Sequence, residues 1–129
     1  MKWNVNKSLP ICPQICEYVC LRIVNGELKA NERISSVREF ALKIGVNPNT
    51  VQKSYDILEE KQIIYSQRGS GWYVGDNYDL AKEVVKSQID EKTKSYLYSM
   101  NQLGYDFKAT IKYLNERYGE SNEWIIKMC

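Results

Sequence analysis

The sequence predicts a mainly α-helical protein carrying a small β-hairpin, and three observations predict it. Two short amphipathic helix patterns meet at Ile44-Gly45-Val46. Two strand-like runs, 63–67 and 72–74, follow at once, joined by Arg68-Gly69-Ser70-Gly71. Two further helix patterns then fill residues 80–118. Helix–turn–helix–hairpin within 34–74 is the order of a winged helix-turn-helix domain, expected over residues 1–75. The helices after it are expected to form a C-terminal α-helical dimerisation hairpin over residues 76–129.

Each element has a local reason. The first helix is expected over 12–24, where Ile11, Ile15, Val19 and Ile23 recur every four residues as one apolar stripe. Pro13 suits its first turn, and Asn25-Gly26 ends it with a natural left-handed residue. Residues 28–34 read as a polar connection, with Arg33-Ile34 as an edge strand. Ser36-Val37-Arg38-Glu39 is a capping box: the serine hydroxyl accepts from the N3 amide while the glutamate reaches back. Val37, Phe40, Ala41 and Ile44 form the buried face of that second helix, and Gly45 stops it. Asn47 then suits an N-cap and Pro48 the first helical position of a third helix, about 47–60. Its Val51, Tyr55 and Leu58 face inward. The glycines of 68–71 permit positive φ in a tight hairpin turn.

After Gly75 the pattern changes. Asp76-Asn77-Tyr78-Asp79 is a polar break, and one long helix is expected over 80–103, with Val85, Ile89, Tyr96, Met100 and Leu103 on one face. Gly104 breaks it. Phe107, Ile111, Leu114 and Tyr118 form the stripe of a second helix over 106–118, which Gly119 ends. Residues 121–128 are expected as a last short turn burying Trp124 and Ile125. Two helices alone protect one seam, so the remaining apolar surface must pack on the front domain or on a second chain, and a homodimer is the simpler expectation.

Composition limits the function classes. The chain has 129 residues, 43% of them hydrophobic and 26% charged, as in ordinary soluble domains. No apolar run approaches the roughly 20 residues of a membrane span, and the N-terminus has no signal-peptide core, so a cytoplasmic location without membrane contact is expected. Net charge is only +2. Residues 1–75 hold ten Lys and Arg against seven Asp and Glu, while 76–129 hold eight against nine. A mildly basic front half fits phosphate contacts and also fits an ordinary charged surface. Histidine is absent, which removes the commonest general base and metal ligand. With no nucleophile–base pair and no metal spacing, an enzyme is not expected, nor a cofactor.

The outward residues carry the functional reading. Asn49, Thr50, Gln52 and Lys53 lie on or beside the exposed opening turns of the third helix, where amides, a hydroxyl and an ammonium suit base edges and phosphates. Arg38 follows the second helix start; it is either a DNA contact or a surface arginine paired with a carboxylate. Arg68-Gly69-Ser70 at the hairpin tip is either a further groove or phosphate contact or simply a turn. The expected partner is a double-stranded DNA operator. The alternative is a winged-helix module that docks protein.

The residues Pro10-Ile11, Gln14-Ile15, Gly26-Glu27-Leu28, Ser36-Val37-Arg38-Glu39, Gly45-Val46-Asn47-Pro48-Asn49-Thr50-Val51 and Arg68-Gly69-Ser70-Gly71 together resemble the GntR family of bacterial transcription regulators. The Asn-Pro-Asn-Thr-Val variant and the short helical tail resemble its YtrA-type subfamily. The resemblance implies a dimeric winged-helix repressor on an inverted-repeat operator. It implies DNA contacts by Ser36 and Arg38 at the second helix, by Asn47, Asn49, Thr50, Gln52 and Lys53 in the major groove, and by Arg68, Gly69 and Ser70 at the minor groove. It also implies a transporter-type operon as target. The tail is too short for the large effector domain of other subfamilies, and any small-molecule effector is unknown. Where that family carries Pro-Gly-Asp, this chain has Ala30-Asn31-Glu32, followed by Ile34 and Ser35 in place of leucine and proline.

Two features stand outside the resemblance. Cys12, Cys16 and Cys20 are spaced by four, along one side of the first helix and about 6 Å apart. They are either a thiol- or metal-responsive row or small hydrophobes beside the apolar stripe. Collinear thiols on one helix cannot enclose a metal unaided, and none is expected. Ten tyrosines, five of them in the tail at 96, 98, 105, 113 and 118, read as interface packing in preference to an effector cavity.

Overall fold

A computed structural model describes residues 3–120. Among them are α1 (Ile11–Val24), β1 (Arg33–Ile34), α2 (Val37–Ile44), α3 (Pro48–Glu60), β2 (Ile64–Gln67), β3 (Gly71–Val74), α4 (Tyr78–Gln102) and α5 (Phe107–Tyr118). They are distributed over two compact units, Met1–Gln88 and Ile89–Cys129, and α4 contributes to both. The short turn expected over 121–128, with Trp124 and Ile125, lies outside the described residues, as does Cys129.

The first unit is a winged helix-turn-helix. Ser36 and Glu39 form the capping box that starts α2: the Glu39 amide donates to Ser36 Oγ at 3.1 Å, and the Ser36 amide donates to Glu39 Oε1 at 3.4 Å. Gly45 ends α2 in the left-handed region at φ 70°. Asn47 caps α3, its Oδ1 accepting from the Asn49 amide at 2.8 Å, and Pro48 fills the first helical position where no donor is needed. The sheet has order β1-β3-β2 and is antiparallel throughout. Arg33 pairs with Tyr73 and Ile34 with Trp72; Ile64 pairs with Val74 and Tyr65 with Tyr73. Alternation puts Ile34, Ile64 and Val74 in the core and leaves Arg33, Tyr65 and Tyr73 on the other face.

The connection through Ala30-Asn31-Glu32 turns on one left-handed residue. Asn31 adopts φ 68°, a left-handed conformation that asparagine tolerates better than most residues. Its amide donates to Val74 O at 2.7 Å, and the Val74 amide donates to Glu32 O at 2.8 Å, so residues 31–32 extend the β1–β3 pairing.

Ile15, Val19, Cys20 and Ile23 of α1, Phe40 and Ala41 of α2, Val51, Tyr55 and Leu58 of α3, and Ile63 just before β2 form one buried core with the sheet. Ala81 of α4 is buried in it, with Leu80, Val84 and Val85 packed against it. The helix expected from residue 80 therefore begins at Tyr78, and Val85 is already partly covered by the core. Tyr55 lies at the centre: it is 1% exposed, its ring meets Trp72 edge-on at 5.3 Å, and its hydroxyl donates to Ser35 O at 2.8 Å.

The second unit is thinly cored. Among its described residues only Thr110 is buried, its hydroxyl donating to Asp106 O at 2.8 Å. Asp106 caps α5 through the Ala109 amide, and Gly104 turns the chain between the helices at φ 88°. Tyr113 meets Tyr105 and Tyr118 edge-on at 6.1 and 6.3 Å, so three tail tyrosines pack on one another. The apolar stripe stands open, with Ile89 59%, Leu103 76% and Phe107 65% exposed.

Candidate nucleic-acid interface

The residues singled out by sequence fall at two places in the first unit. Ser36 and Arg38 open α2, while Asn47, Asn49, Thr50, Gln52 and Lys53 open α3 across the Gly45 turn. Arg68, Gly69 and Ser70 form the tip of the β2–β3 hairpin, with Gly69 at φ 76°. Several have structural duties as well. Ser36 and Asn47 are caps, and the Gln52 amide donates to Asp56 Oδ1 at 2.9 Å. The Ser70 hydroxyl hydrogen-bonds with that of Tyr73, bracing the wing tip.

Arg22 is paired with Glu27 at 3.1 Å and lies over the Tyr18 ring. Arg38, Lys53 and Arg68 are exposed and form no ion pair or side-chain hydrogen bond among the described residues. Most other cations of the described residues are likewise without an ion pair, so what groups these three is their place at the helix openings and the hairpin tip. The N-terminus of α3 adds partial positive charge at the same end, favouring an anion there.

Arg33 was missed by sequence reasoning. Its guanidinium lies over Gly71, the residue that follows the wing tip, with Nε 3.2 Å from where a Cβ on that residue would stand. Gly71, at φ 133°, leaves the space. A two-residue strand has too little periodicity to reveal that placement beforehand.

The cysteine row faces α3. Cys12 Sγ donates to Thr50 O at 3.5 Å and Cys16 Sγ to Ser54 O at 3.6 Å, while Cys20 is fully buried. Burial, reinforced by the neighbouring thiols, pushes Cys16 up to about 11 and Cys20 up to about 12. Protonated thiols of this kind pack α1 against α3 as small hydrophobes, and they are poor nucleophiles and ligands. Among the described residues no group of three or more Cys, Asp or Glu side chains could hold a metal ion.

Those buried acids predict a pH dependence. Unfolded, the thiols ionise near 9.0 and Tyr55 near 10.0; folded, all three hold their protons higher, chiefly because burial penalises the charged form. The unfolded chain thus releases protons first as pH rises, so stability is retained below pH 9 and declines above it, through about 11 to 12. Thermal unfolding between pH 7 and 11 should show a level region and then a fall. A midpoint as high at pH 11 as at pH 8 would count against this packing.

A helix-turn-helix followed by a hairpin wing is the architecture of the DNA-binding winged-helix regulators. The family model for "Bacterial regulatory proteins, gntR family" matches residues 13–74. The chain is 32% identical over 110 residues to the HTH-type transcriptional repressor YtrA of Bacillus subtilis (strain 168), spanning 84% of this chain and 85% of that protein. It is also 32% identical over 97 residues to the HTH-type transcriptional regulator YhcF of the same organism, spanning 75% and 80%. A GntR family transcriptional regulator from Listeria monocytogenes matches in structure with a TM-score of 0.72 at 33% identity, covering 86% of this chain and 97% of that one. The chain belongs to the GntR family of bacterial transcription regulators, with YtrA among its relatives. No helix of the described residues is long and apolar enough to cross a membrane.

Proposed function

We propose that this regulator acts as a cytoplasmic homodimeric repressor that occupies an inverted-repeat operator. In this reading α3 enters the major groove, with Asn47, Asn49, Thr50 and Gln52 toward base edges and Lys53 on a phosphate. Arg38 grips the backbone or a guanine edge beside them, Ser36 holds the start of α2, and Arg68, Gly69 and Ser70 approach the minor groove. The observation that carries the reading is the grouping of exposed Arg38 and Lys53 with the amides and hydroxyl at the openings of α2 and α3, with Arg68 at the hairpin tip.

Dimerisation is assigned to Ile89, Tyr96, Met100, Leu103, Phe107, Ile111 and Leu114, an apolar stripe on helices that bury little of it within one chain. Val85, at one end of that stripe, already serves the first unit's core. Two copies would place two α3 helices on half-sites about one helical turn apart. Repression follows the printed name of the YtrA relative; a transporter-type operon as target follows only the subfamily resemblance of the sequence, and neither comes from any geometry in this chain.

The experiment is operator titration by the full chain and two variants. Arg38→Ala should weaken binding by about 1–3 kcal/mol with unchanged far-UV dichroism. Lys53→Ala should lower the slope of log affinity against log salt by about 0.9, equally on specific and random duplexes. Wild-type affinity in both variants would refute the placement of α2 and α3 on DNA.

A further inference from the structure

We propose that residues 3–10 form a strap that holds Lys7 against the helix-turn-helix turn as an additional phosphate contact. The inference rests on the reading that α3 meets DNA through its N-terminal end.

The strap is anchored at two points. Trp3 stacks on Tyr18 of α1 with ring centroids 4.2 Å apart and 18° between planes, and it lies 6.3 Å from Phe40 of α2. Trp3, Asn4 and Val5 line one shallow cavity together with Lys43 and Ile44, so the strap runs along the last turn of α2. Farther on, Asn6 and Gln14 knot the chain. The Asn6 amide donates to Gln14 Oε1 at 2.8 Å, and Gln14 Nε2 donates back to Asn6 O at 2.9 Å and to Pro10 O at 2.8 Å. Asn6 Oδ1 accepts from the Ser8 amide and hydroxyl at 3.1 and 2.6 Å, and Asn6 O accepts from the Leu9 amide at 3.1 Å.

Lys7 is at the crown of that turn. Its Nζ stands 3.4 Å from where a Cβ on Gly45 would be. Gly45 is the C-cap of α2 and lies two residues before Asn47, the N-cap of α3. The charge is thus brought to the junction from which the recognition helix departs. Among the described residues Lys7 makes no ion pair or hydrogen bond. The negative end of the α2 dipole explains why an ammonium rests there, but it occupies none of the three N–H donors. Fixing the backbone on both sides of Lys7 reduces the ordering that a phosphate contact would otherwise require. The knot ties down an exposed segment that adds little to the core, and a pre-positioned cation gives it a use.

The test measures salt-dependent binding of the full chain to a mixed-sequence duplex and to a duplex carrying the promoter inverted repeat. Lys7→Gln, Trp3→Ala and Asn6→Ala are compared with Arg38→Ala. Lys7→Gln should lower the slope of log affinity against log salt by about 0.9 on both duplexes, roughly eightfold weaker binding at 0.1 M for curves that converge at 1 M. Its thermal midpoint should fall only slightly, by what one exposed cation at a helix C-terminus contributes. Trp3→Ala, or Asn6→Ala if the tryptophan variant does not fold, should lose much of the same slope although Lys7 remains. An unchanged slope for Lys7→Gln overturns the proposal, and a lowered midpoint with that unchanged slope would make the ammonium a helix cap only. A full slope in both strap variants overturns the strap as the positioning device. If Arg38→Ala weakens binding while Lys7→Gln does not, the strap alone falls; if neither does, the proposed function falls with it.

Discussion

Tyr55→Ala is expected to destabilise the winged-helix unit by about 3–5 kcal/mol, the range for deleting a large aromatic from a core. Total domain stabilities run only about 5–15 kcal/mol, so the variant should be close to unfolded at growth temperature. The cost follows from position. Tyr55 is the link in an aromatic row that runs from Trp3 and Tyr18 through Phe40, 6.3 Å from its ring, to Trp72 at 5.3 Å. It therefore joins α3 to α2 on one side and to the wing on the other. Tyr55→Phe keeps the ring but leaves Ser35 O without its donor, which costs about 1–2 kcal/mol. Urea unfolding monitored by tryptophan fluorescence checks both. A Tyr55→Ala loss below about 1 kcal/mol would mean that the row does not hold α3 to α2 and the wing.

The second large effect concerns assembly. If the proposed homodimer forms through this stripe, Ile89→Lys combined with Leu103→Lys should make the chain monomeric in sedimentation and lower operator affinity by about 10²- to 10⁴-fold, the range expected when a second binding event loses its tether. Both side chains are more than half exposed within one chain, so folding should be spared. In a two-fold interface each new lysine faces the same apolar patch on the other copy, and the added charges repel. A variant that remained dimeric and bound the operator normally would move the interface off this stripe.

How much of this was legible in the sequence depends on whether the signal is local. The starts of α2 and α3 are written in side chains that cap their own backbone, Ser36 with Glu39 and Asn47 with Pro48, and the structure places both there. Gly45, Gly69 and Gly104 mark turns for an equally local reason, since each takes a positive φ. The helix–turn–helix–hairpin order and the polar opening turns of α3 carried the DNA reading, which net charge alone did not support, and the family resemblance sharpened it to named contacts. Non-local features stayed hidden. The strap has no periodicity, so nothing short of the fold shows that Trp3 stacks on Tyr18. Arg33 reaches Gly71 only because β1 pairs with β3. The spacing of the thiols favours packing over sensing, but which helix they pack against becomes visible only in their hydrogen bonds to α3 carbonyls. The start of α4 was read two residues late because the polar run 76–79 masks a first turn that Ala81 draws onto the core.

The central claim is that α3, Arg38 and the wing together read an operator. Equilibrium titration of the full chain against the promoter inverted repeat and against a scrambled duplex of equal length, at one fixed salt concentration, tests it most directly. Specific regulators typically prefer their site by about 10³-fold or more, and a preference of that order is the predicted result. Equal affinity for the two duplexes would contradict the account, because the unpaired cations would then supply only non-specific attraction.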